Sequence, residues 1–192
     1  MGADVSALTV DQAMAHLATS DFFRLPSQIA TRALPYKEWQ HFVVQTESLR
    51  FLINFSLSVD EQPGGLRRLS PRVLVMCHGA SAASAHHRTD ASNFAISDDL
   101  QSLRIDQSAM SLRNEGYALS ISLPSHNIAA ELLLRPTSRP FVVNNQPVGA
   151  GRLSWLFVPE LLASGTLSID GTTHRLDDAI AYHDLNLSLI HI

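Results

Sequence analysis

The fold is decided by residues 151–186, which read GRLSWLFVPELLASGTLSIDGTTHRLDDAIAYHDLN. At its centre, Asp170-Gly171 is a dipeptide that favours the positive-φ positions of a tight hairpin turn. Small or apolar residues alternate with Ser and Thr over residues 163–169, and residues 172–176 return after the turn. A further strand-like run, residues 153–158, lies upstream. The stretch therefore predicts a β-hairpin, followed by another strand that carries Tyr182 and Asp184.

The same two-residue period continues through most of the chain. In residues 50–59, apolar side chains at odd positions alternate with Asn and Ser at even positions. Other strand-like runs are residues 42–46, 72–78, 94–96, 102–105, 109–113, 117–123, 128–134 and 141–143. Short connections between them favour up-and-down antiparallel order. The pattern predicts an all-β fold, an antiparallel barrel or sandwich, and it does not separate these two architectures.

The N-terminal segment has a different pattern. Thr9 and Gln12 have the spacing of a capping box, and the apolar residues that follow recur with a helical period. We expect a short helix within an N-terminal arm, residues 1–34, that packs on a β domain formed by residues 35–186. Residues 79–85 are a run of small residues, to which we assign no element.

Composition limits the partners of the protein. A chain of 192 residues with 45% hydrophobic residues is long enough to form a packed core. The net charge of -4 argues against nucleic acid as a partner. We find no basic-then-apolar leader and no run of about 18 apolar residues, so we expect a cytoplasmic protein. Peripheral contact with a membrane stays open.

The order of motifs resembles a known family. The chain resembles the lipocalin-like carotenoid 1,2-hydratases (hydroxyneurosporene synthases) in three successive segments. These are a strand with Trp155, a Gly-x-Leu-x-Ile-Asp-Gly hairpin and the run from Tyr182 to Asn186. Residues 35–42 and 52–56 fit the same family. The resemblance implies a lipocalin-like barrel, a lipophilic small-molecule substrate and no cofactor. It also implies a second β-rich domain after this motif.

The last six residues, 187–192, match the translation of a common sequencing adapter. We expect them to be an artefact, with the native second β domain missing from this chain. That missing domain would be the natural partner of residues 35–186.

Three residues are the candidates for catalysis. Tyr182 and Asp184 are two positions apart on a strand-like run, so both side chains point to one face, while His183 faces away. Burial in an apolar cavity would keep a proton on Asp184, and aromatic faces would stabilise a carbocation. The resemblance implies these roles for Asp184, Tyr182 and Trp155.

Four more residues are candidates for substrate binding. His41 and Asn54 are polar residues within strand-like runs, and Trp39 could form a lid or a core anchor. His183 completes this set. Leu153 and Leu185 stand where the family has histidine.

These observations leave three functions open. The first is hydration of a terminal double bond of an apolar isoprenoid by a carotenoid 1,2-hydratase-like enzyme. The others are an isomerase or cyclase on another lipophilic substrate, and a lipid- or pigment-binding module without catalysis. No metal site is expected, because Cys77, His78, His86 and His87 do not have the spacing of a zinc site.

Overall fold

The computed structural model describes residues 9–23, 36–61, 63–149 and 151–188. This part of the chain contains one α-helix, α1 (Val10–Ser20), and twelve β-strands, whose pairs are all antiparallel. The strands are β1 (Lys37–Gln45), β2 (Leu49–Glu61), β3 (Arg67–Gly79), β4 (Ala83–Arg88), β5 (Phe94–Ile96), β6 (Ser102–Ile105), β7 (Ser108–Arg113), β8 (Gly116–Leu123), β9 (Ile128–Pro136), β10 (Phe141–Val148), β11 (Gly151–Ile169) and β12 (Thr172–Ser188).

Helix α1 begins at the predicted capping box. The Thr9 hydroxyl accepts a hydrogen bond from the Gln12 amide at 3.3 Å, and the Gln12 side chain accepts one from the Thr9 amide at 3.1 Å. One face of the helix buries Met14 and Leu17 in the core, which fixes the helix against the sheet. No helix in the described residues is long and apolar enough to cross a membrane.

The β11–β12 hairpin is the centre of the sheet. Asp170 and Gly171 have φ values of 48° and 81°, so the turn has the two positive-φ positions that the dipeptide predicts. Each arm is longer than expected, because two predicted strands merge into one on each side. Register shifts absorb the irregular positions, one of them at Gly165, where φ is 133° and a Cβ atom would lie 2.0 Å from the Glu131 carbonyl oxygen. Only glycine fits this bulge.

The sheet runs in the order β4-β3-β2-β1-β12-β11-β9-β8-β7-β6-β5, with β10 paired to β11. Two meanders, β1–β4 and β5–β9, are therefore joined by the pairing of β1 with β12. The simple up-and-down order expected from the sequence holds within each meander and is broken at this junction. As a result, β1 lies beside the strand that carries Tyr182 and Asp184.

Alternation along the strands gives the sheet an inner and an outer face. The inner face carries the core: Phe51, Ile53 and Phe55 of β2 are at most 1% exposed, and α1 packs on this side. Fully burying a side chain of this kind contributes about 1.5–3 kcal/mol. The intervening residues of β2, such as Leu52 and Asn54, are half-buried on the outer face.

The two ends of the sheet approach each other. His87 of β4 hydrogen-bonds Asp106, in the turn between β6 and β7, with 2.5 Å between Nε2 and Oδ2. The amide of Asp106 donates to the Asn93 carbonyl, just before β5, at 2.8 Å. The sheet is thereby curled into a half-barrel, which confirms the all-β, antiparallel fold class.

One sequence-based expectation needs correction, and two stretches without an assigned strand contribute to the sheet. Strand β4 begins within the run 79–85, because its small residues pair with β3. Tyr182 and Asp184 lie on the return arm of the hairpin itself, not on a further strand. Leu187 and Ser188 continue β12 and pair with Glu38 and Lys37, whereas residues 189–192 lie outside the described residues. The proposed domain division stays a prediction.

Candidate functional site

Six of the seven predicted site residues share the outer face of four neighbouring strands. Strand pairing sets Asn54, His41, Asp184 and Phe157 directly opposite one another across β2, β1, β12 and β11. The adjacent row contains Trp39, Asn186 and Trp155. Directly opposed residues have Cβ atoms about 5 Å apart, so these side chains form one surface. Tyr182 lies on the same face of β12, two residues before Asp184.

Asp184 is the polar centre of this surface. It is 8% exposed, and the Asn186 side-chain amide donates a hydrogen bond to its Oδ1. Burial, together with the charge of Asp184 and a hydrogen bond to it, raises the pKa of Tyr182 to about 12. The phenol therefore stays protonated and donates a hydrogen bond to the carboxyl group. Two donors converge on this one side chain.

His41 is the third group at Asp184. Its Nδ1 lies 3.8 Å from Asp184 Oδ2, and its side chain is 26% exposed. The pKa of His41 is lowered, mainly by burial. The charge of Asp184 raises this pKa, and the interaction with His183 lowers it further. Its Nε2 is buried and has no hydrogen-bond partner among the described residues. His41 is thus a neutral imidazole at neutral pH with unused hydrogen-bonding capacity, as suits a proton acceptor.

Aromatic side chains flank the carboxyl group on its β11 side. The ring of Phe157 lies 5.6 Å from that of Trp155 and is stacked on Phe141 at 5.1 Å. Trp155 is 40% exposed and stands opposite Asn186, one row away from Asp184. Phe157, which the sequence analysis did not single out, is the aromatic residue directly opposite Asp184. Trp39 lies on the other side of Asn186, with Lys37 Nζ 5.8 Å from its ring centre.

An apolar groove begins beside His41. Its volume is about 750 Å3, and it crosses β1 to β4. Val43, Leu52 and Met76, which are opposed in strand register, form its floor. Its rim includes Arg50 and His78. His41 and its neighbour Asp184 therefore lie at the border of a surface suited to a lipophilic chain.

His183 does not join this site. Its side chain is fully buried on the inner face, as strand alternation requires, so its assignment to substrate binding is corrected. Its Nε2 lies 2.8 Å from Asp21 Oδ2, and its Nδ1 lies 3.1 Å from the His41 carbonyl oxygen. Tyr117 and Gln40 also donate to Asp21. Burial raises the pKa of Asp21, but the interaction with His183 and, to a smaller extent, the bonds from Tyr117 and Gln40 lower it overall. The pair belongs to the core.

Sequence reasoning missed two kinds of residue. Asn186 could have been found, because its position two residues after Asp184 puts it on the same face. The partnership of Asp21 with His183 spans 162 residues and leaves no local signal. The residues considered for a metal site separate: Cys77 is buried, His87 binds Asp106, and His78 and His86 are exposed.

The sequence and the fold were compared with those of known proteins. No protein-family model matches the sequence, and no curated protein matches it. A crystal structure from Nitrosomonas europaea, of a protein provisionally assigned as AttH, is similar with a TM-score of 0.59 and 12% identity, over 90% of this chain and 57% of that one. The fold is lipocalin-like. Kievitone hydratase from Nectria haematococca matches with a TM-score of 0.45 and 11% identity, over 88% of this chain and 52% of that one. The lipocalin-like chain thus spans little more than half the length of the solved structures that it matches.

Proposed function

We propose that the protein is a hydratase, which adds water to a carbon–carbon double bond of a lipophilic substrate lying on the outer face. The observation that carries this proposal is the placement of Asp184. Its carboxyl group has two donors, Tyr182 and Asn186, and stands 3.8 Å from the imidazole of His41 at the border of an apolar groove.

The first step is protonation of the alkene. Protonated Asp184 transfers its proton to one alkene carbon, and the π electrons form the new C–H bond, which leaves a cation on the other carbon. The donors Tyr182 and Asn186 hydrogen-bond the carboxylate that forms. The faces of Phe157 and Trp155 attract the cation.

Water completes the reaction. Its oxygen bonds to the cationic carbon, and its surplus proton passes to His41, which is neutral at neutral pH and has Nε2 unpaired. Because Nε2 is buried in the structure, this step requires the imidazole ring to turn so that Nε2 faces the groove. The proton then returns to Asp184, and the net change is the addition of one water.

The family resemblance supports a narrower form of the proposal. It implies a terminal double bond of an apolar isoprenoid, as in carotenoid 1,2-hydratases, with Asp184, Tyr182 and Trp155 in the roles given above. Leu153 and Leu185 stand where that family has histidine. In our proposal, His41 supplies the imidazole at the site instead.

The test uses an acyclic carotenoid in detergent micelles, with heavy-oxygen water and mass spectrometry to detect incorporation. Asp184→Asn and His41→Gln are each expected to lower the rate by about 100-fold or more, the usual range for loss of an acid or base. Asp177→Asn, an exposed carboxylate on the same strand, is the matched control and keeps the rate. Equal rates in the wild type and Asp184→Asn would exclude the acid role.

The second candidate is a lipid- or pigment-binding module, which the apolar floor of the groove favours. It predicts that the wild type binds the carotenoid and incorporates no heavy oxygen. In that case Asp184→Asn and His41→Gln bind as the wild type does, whereas Leu52→Asp in the floor abolishes binding.

A further inference from the structure

We propose that the groove binds a lipid with a single carboxylate, whose acidic end pairs with Arg50 and whose chain lies over Val43, Leu52 and Met76 towards His41. The inference rests on the proposed function and narrows its substrate from an apolar hydrocarbon to a lipophilic carboxylic acid.

The groove is ordered in three rows across the strands. Gln45, Arg50 and His78 are opposed in register at one end, where β1 ends and β2 begins. The next row is apolar and contains Val43, Leu52 and Met76. Met76 is 49% exposed. The third row contains His41 and leads to Asp184. Polar, apolar and acid–base rows thus follow each other along one direction.

Arg50 has a charge that nothing in the described residues neutralises. Its guanidinium donates to the neutral Gln45 side chain at 2.5 Å, and no carboxylate among the described residues lies within ion-pair distance of it. Glu47, in the adjacent turn, makes no such pair with it. By contrast, Arg72 and Arg88 on the same half of the sheet both pair with Asp60. A planar cation at the end of an apolar floor is complementary to a carboxylate head with an alkyl tail.

The spacing sets where the double bond falls. Along β1, His41 is four residues from Gln45, the residue opposite Arg50. At about 3.3 Å per residue, the two rows are about 13 Å apart. An extended chain held by its carboxylate therefore presents a mid-chain carbon to His41 and Asp184. This geometry predicts selection for a double bond at that distance from the acid.

The binding test uses oleate and methyl oleate, which differ in the negative charge. Both tryptophans of the protein, Trp39 and Trp155, lie on the outer face, so their fluorescence reports occupancy. We expect oleate to bind about tenfold more tightly than the ester at low salt. Added salt weakens oleate binding and leaves the ester unaffected, because only the ion pair is screened.

Variants of Arg50 assign the effect. Arg50→Gln is expected to lower the affinity for oleate about tenfold, to the level of the ester, and to leave ester binding unchanged. Arg113→Gln, an exposed arginine on β7, is the control and keeps the preference for oleate. Equal affinities for acid and ester, absence of binding by either, or wild-type oleate affinity in Arg50→Gln would each overturn the proposal.

The result is separable from that of the proposed function. If oleate binds through Arg50 but neither oleate nor the carotenoid is hydrated, the groove is a carboxylate-lipid site and the hydratase proposal fails. If the carotenoid is hydrated but oleate shows no advantage over its ester, the hydratase proposal stands and the carboxylate inference fails.

Discussion

Two histidines on adjacent strands, each beside an aspartate, have opposite surroundings. On the inner face, His183 has both ring nitrogens opposite acceptors, Asp21 and the His41 carbonyl oxygen. The imidazole ring also stacks on Phe42, with ring centres 4.3 Å apart. On the outer face, His41 stands 3.8 Å from Asp184 and keeps Nε2 without a partner among the described residues.

The difference separates a pair whose hydrogen-bonding groups are all engaged from a pair to which we assign chemistry in our proposal. A buried pair whose hydrogen-bonding groups are all engaged fixes one arrangement, and losing either partner is costly. A pair with an unpaired nitrogen at the border of a groove can accept a proton or a ligand. The same residue types are therefore committed to folding on one face and available for chemistry on the other.

The largest expected effect is on the inner face. Asp21→Ala leaves His183, Tyr117 and Gln40 buried without their shared carboxylate partner, so we expect the free energy of unfolding to fall by about 3–5 kcal/mol. Asp184→Ala is the outer-face counterpart and should cost about 1 kcal/mol, because water can reach its partners. Urea unfolding at neutral pH measures both. Equal losses would show that the two faces do not differ as described.

Removal of single hydroxyl groups sharpens the same comparison. Tyr117→Phe deletes a fully buried donor to Asp21 and is expected to cost about 2 kcal/mol, as for a hydrogen bond to a charged group. Tyr182→Phe deletes a half-buried donor to Asp184 and should cost less than about 1 kcal/mol. Thermal unfolding of both variants under one buffer condition gives the ranking, and a larger cost for Tyr182→Phe would reverse our assignment.

Acid should weaken the inner pair in a defined direction. The pKa of Asp21 is lowered in the folded protein, so its contribution to stability is fully present above the unfolded value of 3.8. That contribution is lost as the pH falls through the lower folded value, since protons then bind the unfolded state more readily. We expect Asp21→Asn to lack this part of the acid sensitivity. Parallel slopes of unfolding free energy against pH below 3.8 would contradict the assignment.

The smallest effect is on the titration of His41. Its pKa lies below the usual 6.5, and Asp184 opposes this shift. We therefore expect the imidazole NMR signals of His41 to titrate with a midpoint below 6.5, and with a still lower midpoint in Asp184→Asn. Asp177→Asn, which lies on the same strand but is not among the groups that shift the pKa of His41, should leave the midpoint unchanged. A midpoint that rises in Asp184→Asn would show that the carboxyl group does not act on His41 as a charge.

Local pattern was sufficient for some features of this comparison. Strand alternation alone places Tyr182 and Asp184 on one face and His183 on the other. The dipeptide Asp170-Gly171 specifies its turn, and Thr9 with Gln12 specifies the start of α1. In each case, the residues that determine the structure are close together in the sequence.

Other features depend on distant residues or on breaks in the pattern. Residues 159–162 read as the end of a strand, although pairing with β12 continues past them through a register shift between Val158 and Leu161. The position of β1 beside β12 has no local cause, so the proximity of His41 to Asp184 could not be derived. Asp21 lay in a segment without regular pattern, and its role became visible only with His183 in place.

The pairing of β1 with β12 has a consequence for the newly made chain. His41 and His183 are 142 residues apart, so a ribosome that adds about 5–20 residues per second makes β1 roughly 7–28 seconds before its neighbour. During that interval β1–β4 can form a meander whose first strand, β1, has an unpaired edge and whose apolar side is uncovered. Such an edge can pair with other chains. The open edge of β1 is therefore exposed for longer the more slowly the chain is made, and it is covered only when the β11–β12 hairpin arrives.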